Sequence, residues 1–129
     1  MASAILDTPQ AHGKQLKTVY GTFYPQGTSA PTVNANQTRG VSSITRTAAG
    51  TFLITLKHPY LRLVDKQATV QHTTAVDLVP QFGDIANVGS SSAVTLVLRL
   101  VAVATATDMA ANANNSVSFK LTFSDSGAY

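Results

Sequence analysis

Alternation of apolar and polar side chains is the dominant pattern along this chain. Ser116 to Ser124 alternates without a fault, so a strand there puts Val117, Phe119, Leu121 and Phe123 on one face and Ser118, Lys120, Thr122 and Ser124 on the other. Thr51 to Lys57 repeats the pattern, with Phe52, Ile54 and Leu56 facing one way and Thr51, Thr55 and Lys57 the other. Val41 to Arg46 precedes it across Thr47-Ala48-Ala49-Gly50, which predicts a hairpin. A connection ending in Gly suits a type I turn closed by a left-handed residue. His58-Pro59 ends that ladder, because Pro lacks an amide donor and restricts the residue before it.

Ala93 to Ala104 is the longest apolar run. Its β-branched content predicts a central strand covered on both faces, with a buried helix as the competing reading. Lys17 to Phe23 predicts a strand followed by a turn at Tyr24-Pro25-Gln26-Gly27. Leu61, Leu63, Ala68 and Val70 alternate with an interruption at Asp65-Lys66-Gln67, which leaves one bent strand, two short strands or a helical turn near Tyr60. Val76 to Val88, with Val79-Pro80 and Phe82-Gly83-Asp84, reads as a bulged edge strand or a long connection. Thr107-Asp108 is placed to cap a short helix through Asn112.

Two segments lack an apolar period. Residues 1–16 read as an extended N-terminal arm, and Thr28 to Gly40 as a long loop or second arm. The expected architecture is therefore all-β: a single antiparallel β-sandwich or jelly-roll-like domain over residues 17–129, carrying that arm. Its expected core is Phe52, Ile54, Leu56, Val94, Leu96, Leu98, Val117, Phe119, Leu121 and Phe123.

Composition narrows the function. The 129 residues hold no Cys, which excludes thiol redox chemistry, Cys-ligated zinc and iron-sulfur clusters. Charged residues make up only 12%, against a usual quarter or so, and Glu is absent, which removes a good helix former and a frequent general acid or base. The net charge of +3 comes from Lys and Arg scattered along the chain, not gathered in a nucleic-acid stripe. No stretch reaches the eighteen or so apolar residues of a membrane helix. The Met-Ala-Ser-Ala-Ile-Leu-Asp opening lacks a basic region followed by a long apolar run, so the expectation is a soluble, unexported chain without a membrane partner.

Few residues of the chain carry chemistry. His12, His58 and His72 have no metal-ligand spacing among them or with carboxylates, so no metal is expected. His72 and Asp77 could join a Ser in a triad, yet no Gly-x-Ser-x-Gly elbow exists. No phosphate-cradling Gly loop is present, so no nucleotide cofactor is expected. Arg39, Arg46, Arg62 and Arg99 with Tyr20, Tyr24 and Tyr60 are the types that grip single strands, but dispersed solubility charge is the simpler account and no nucleic-acid partner is expected. Asn36 and Asn114 fit the glycosylation pattern, which carries no weight without a secretion signal. No catalytic, cofactor-binding or metal residue is assigned.

Three motifs carry a resemblance: Val41-Ser-Ser-Ile-Thr-Arg46, Thr47-Ala-Ala-Gly-Thr-Phe-Leu-Ile-Thr-Leu56 and Asp108-Met-Ala-Ala-Asn-Ala-Asn-Asn-Ser-Val117. Together, over about Gly40 to Phe123, they resemble small virion structural proteins of tailed bacteriophages. That resemblance implies a non-enzymatic capsid decoration, or cement, protein on the outside of the shell. It would bridge neighbouring subunits of the phage major capsid protein and pair with itself as a dimer or trimer. A head-fibre or tail component with a carbohydrate-binding or hydrolytic role is the alternative. The Met-Ala-Ser start and Ser-Gly-Ala-Tyr end also resemble coat proteins of small RNA phages, but those finish in helices where this chain alternates as a strand. The implied location is the virion, after synthesis in the host cytoplasm.

Overall fold

The computed structural model describes residues 16–74 and 76–124. Among these residues nine strands follow in order: β1 Leu16–Gln26, β2 Ser29–Val33, β3 Val41–Ala48, β4 Thr51–Leu56, β5 Arg62–Gln71, β6 Val79–Ala86, β7 Thr95–Ala102, β8 Thr105–Ala106 and β9 Ser116–Ser124. One sheet runs β2-β1-β9-β5 and the other β3-β4-β7-β6, with β8 added to β7, and all pairings are antiparallel. The two sheets pack face to face as an all-β sandwich.

The core is the inward half of each alternation. Phe52, Ile54 and Leu56 of β4 and Leu96, Leu98 and Leu100 of β7 face Val117, Phe119, Leu121 and Phe123 of β9, and all are buried. All ten expected core residues lie in this cluster. Phe23 and Phe52 meet across the sheets with ring centroids 4.9 Å apart, and Tyr60 stacks on Phe123 at 4.4 Å. Full burial of each such side chain contributes about 1.5–3 kcal/mol, which makes these rings and leucines the main stabilising term.

Several expectations change. β1 continues through Pro25 to Gln26, and the turn falls at Gly27, whose φ is +61°. Thr28 to Gly40 is neither a free loop nor a second arm. It forms β2 and a 3-10 turn at Ala35–Gln37 and is tied along β1, with the Asn34 N–H donating to the Thr22 carbonyl at 2.9 Å and the Arg39 N–H to the Tyr20 carbonyl at 2.8 Å. Its bonds are backbone bonds to a strand edge, and these leave no apolar period. The hairpin turn tightens to Ala49-Gly50, with a register shift between Arg46 and Ala48. β5 is one strand whose interruption is a bulge between Leu63 and Asp65. Tyr60 begins no helical turn; it is a buried ring. β6 is the bulged edge strand, shifted between Phe82 and Ile85.

Residues 107–112 form no helix. Asp108 is drawn away from a capping role because its carboxylate is taken by Arg46 and the Gly50 N–H. Among the described residues central β7 is covered on one face only: Val97, Arg99 and Val101 on the opposite face are half-exposed. The arm expected over residues 1–16 lies outside the described residues except for Leu16, which opens β1.

Candidate functional site

The two outer faces of the sandwich differ chemically. On the β2-β1-β9-β5 sheet the outward row is Thr69, Ser118 and Thr22, and the Thr22 and Ser118 hydroxyls bond at 3.0 Å. The next row is Gln67, Lys120, Tyr20 and Arg39. Hydroxyls, amides and cations of this kind are well solvated.

The outer face of the β3-β4-β7-β6 sheet is apolar by comparison. Alternation that sends Phe52 and Ile54 inward sends Leu53 outward, beside Val97 of β7 and Thr45 of β3. Val101 pairs with Val79 on one side and Ala106 on the other, and Val79 is 58% exposed. Arg99 is the cation on these central rows, between Thr51 and Gln81. Its guanidinium lies down over Gly83, where an added Cβ would stand 2.5 Å from Nη1. The charge is thus held flat against the β6 backbone.

One corner of this face is strained. Val103 and Ala104, in the turn from β7 to β8, have φ of +48° and +64°, which L residues other than Gly rarely adopt, least of all a β-branched one. Val103 is also 85% exposed, so burial does not compensate that cost. The two residues form the loop of a two-residue hairpin, since Ala102 pairs with Thr105, and the favoured turn there has positive φ at both positions.

The residues singled out from sequence fall apart in space. His72 and Asp77 share no hydrogen bond among the described residues, and Asp77 is exposed. The carbonyl Oδ1 of Asn115 accepts from the Thr73 N–H at 3.0 Å and its Nδ2 donates to the Ala110 carbonyl at 3.1 Å. Nδ2 also lies 3.2 Å from His72 Nε2, while His72 Nδ1 lies 3.1 Å from the Thr74 carbonyl and 3.2 Å from the Thr74 amide nitrogen. His72 therefore pins the 110–115 loop to the end of β5. His12 lies outside the described residues, and His58 is exposed beyond β4. Among the described residues no group of three or more His or carboxylates is placed to hold a metal. Of the Arg and Tyr set, Arg39 adjoins Tyr20 on one sheet, Arg99 sits on the other, Arg46 is paired with Asp108 and Tyr60 is buried on Phe123. Arg62 opens β5, and Tyr24 is held through its hydroxyl by Asn34 Nδ2 at 3.0 Å. Asn36 and Asn114 both sit on exposed turns.

The apolar outer face was carried in the sequence by Leu53, Val97, Val101 and Val79, at positions opposite the core. A run apolar on both phases reads as a strand covered twice; only the structure shows that no element among the described residues covers one side. Comparison of the chain with protein-family models, with curated proteins and with solved structures finds no match.

Proposed function

We propose that this is a non-enzymatic virion structural protein that attaches to the outside of a tailed-phage capsid and reinforces the shell by bridging neighbouring subunits of the major capsid protein. The observation that carries the reading is the apolar, Thr-rich outer face of the β3-β4-β7-β6 sheet, with Val79 and the strained Val103 held outward beside it. The motif resemblance supplies the kind of partner. Such a face desolvates few ions on contact, and repetition over a symmetric lattice raises the effective concentration of each weak contact. Pairing between copies as a dimer or trimer adds to that multivalency. Residues 1–16 extend the contact across neighbouring subunits; because ordering costs about 1–2 kcal/mol per residue, such an arm needs a large surface to be net favourable.

Reconstitution on purified capsids lacking the protein tests this. Val97→Asp and Leu53→Asp should keep the β-rich spectrum and lose occupancy, whereas Thr69→Asp on the opposite face should keep both. Val103→Gly relieves the backbone strain while removing the side chain, so stability should hold or rise while occupancy falls. Deletion of residues 1–15 should spare folding and weaken binding. His72→Ala and Asp77→Ala should leave occupancy intact in folded protein. Full occupancy in Val97→Asp and Leu53→Asp would remove the face from the mechanism.

A further inference from the structure

We infer that the cleft between the β1-β2 hairpin and the 110–115 loop, lined by Tyr24, Gln26, Thr32, Asn112 and Ala113, is a binding site for a neutral saccharide. This inference does not depend on the capsid reading. The cleft measures about 360 Å³, within the range of small-molecule sites. Its place follows from the register of the sheet. Phe23 and Pro25 are buried, so Tyr24 between them is turned outward, and Thr32, which pairs with Tyr24, stands beside it on β2. On the other side of β1 lies β9, with Phe23 paired to Val117, and the loop entering β9 brings Asn112 and Ala113 to the opposite wall. Leu16 and Ser124 pair with each other at the far end of β1, eleven residues or on the order of 30 Å away.

Three of the polar side chains here are each held by one bond and keep capacity for more. Asn34 Oδ1 accepts the Asn36 N–H at 3.1 Å, which turns Asn34 Nδ2 to donate to the Tyr24 hydroxyl oxygen at 3.0 Å and leaves the Tyr24 O–H to donate elsewhere. Gln26 Nε2 donates to the Tyr24 carbonyl at 3.2 Å, leaving Oε1 to accept. Asn112 Oδ1 accepts the Asn114 N–H at 2.9 Å, leaving both Nδ2 hydrogens. The two walls are tied together, because the Gly27 N–H donates to the carbonyl of buried Met109 at 3.0 Å. Donors and acceptors fixed before a ligand arrives lose little freedom when it binds.

The set is two amides, two hydroxyls and one aromatic ring, and among the described residues no charged side chain lines the cleft. A pyranose matches both parts of it. Its hydroxyls give and take hydrogen bonds along one edge, where amides supply donor and acceptor together, while its C–H face packs against an aromatic ring. Tyr24 is half-buried and, unlike Tyr60 on Phe123, stacks on no other ring among the described residues. A nucleotide would also use the ring, but its phosphates call for cations that these lining residues do not supply.

The test titrates the full-length, isotope-labelled chain with the methyl glycosides of glucose, galactose, mannose and N-acetylglucosamine, and with their disaccharides, following backbone amide shifts. At least one of these sugars should give saturable shifts centred on Tyr24, Gln26, Thr32, Asn112 and Ala113. A disaccharide that binds more tightly than its monosaccharide identifies a glycan chain as the source and equal affinity a free sugar; both outcomes support the site. Asn112→Ala and Tyr24→Ala should each weaken the bound sugar about fivefold or more, as loss of one hydrogen bond or ring contact does. Thr69→Ala, outward on the same sheet but outside the cleft, should leave affinity within about twofold. If Tyr24→Ala disturbs the fold, Asn112→Ala and Tyr24→Phe carry the comparison, the latter keeping the ring and losing only the O–H contact. Absence of saturable shifts with every sugar, or equal weakening by Thr69→Ala, would overturn the site. So would a nucleotide or a peptide that binds here and that none of the sugars displaces.

Discussion

Arg46 and Asp108, 62 residues apart, meet as a bidentate ion pair: Arg46 Nε donates to Oδ1 at 3.0 Å and Nη2 to Oδ2 at 2.8 Å. Oδ1 also accepts the Gly50 N–H at 2.8 Å. One carboxylate thus joins the tight β3-β4 turn to the segment entering the 110–115 loop. The Arg46 hydrogen bonds hold the Asp108 carboxyl below its ordinary range against the opposing effect of burial, with the Gly50 N–H adding to the depression; the Arg46 guanidinium is raised in turn.

A group depressed in the folded state stabilises above its unfolded pKa, about 3.9 for Asp, and that contribution disappears as pH falls through the folded value. Asp108→Asn should therefore lower the melting temperature at pH 7, and the gap to the parent chain should close on acidification below about pH 4. Arg46→Met should act in the same direction, and the double variant should cost less than the sum of the singles. Thermal melts at pH 7 and pH 2 decide it; a gap that stays constant would show the pair to be idle.

Leu121 and Lys120 are neighbours on β9 facing opposite ways, Leu121 fully buried and Lys120 exposed. Leu121→Ala should cost about 2–5 kcal/mol, while Lys120→Ala should stay within about 0.5 kcal/mol. Denaturant unfolding of the two variants measures both, and equal costs would contradict the register of the central strand.

The strands were legible wherever one face met the core and the other met water, as in Thr51 to Lys57 and Ser116 to Ser124. Legibility failed where the bonding was not periodic. Asn34, Thr38 and Arg39 attach their segment to β1 through backbone and short polar side chains, which looks the same in sequence as a solvated loop. Asp108 looked like a helix cap because its real partner lies 62 positions away.

Gly50 and Gly27 both sit at positive φ, +59° and +61°, but in different surroundings. A Cβ on Gly50 would stand 2.5 Å from the backbone N and O of Thr107, whereas one on Gly27 meets nothing within 4 Å. Gly27→Ala should cost only the left-handed penalty of about 1–2 kcal/mol. Gly50→Ala adds a backbone clash, so it should cost clearly more and loosen the Asp108 contact as well. Chemical denaturation compares them directly; similar costs would mean that the Thr107 segment yields freely.

The hydrogen bonds along the outer edge of β1 make a prediction opposite to the one sequence suggests for Thr28 to Arg39. A segment without apolar period should exchange its amide hydrogens quickly, yet the Asn34 and Arg39 amides are bonded to the Thr22 and Tyr20 carbonyls, and the Tyr20 amide to the Arg39 carbonyl. The amide of Asn36, by contrast, reaches only the Asn34 side chain at 3.1 Å on an exposed turn. Exchange followed by NMR should find Tyr20, Asn34 and Arg39 protected and Asn36 fast, since protection follows the cost of opening each bond. Asn34→Ala removes the side-chain bonds to Tyr24, Gln37 and the Asn36 amide, so it should speed exchange from Asn34 to Arg39 without touching that of Leu121. Uniformly fast exchange over Thr28 to Arg39 in the parent chain would release the segment from β1. It would then be available as a second arm.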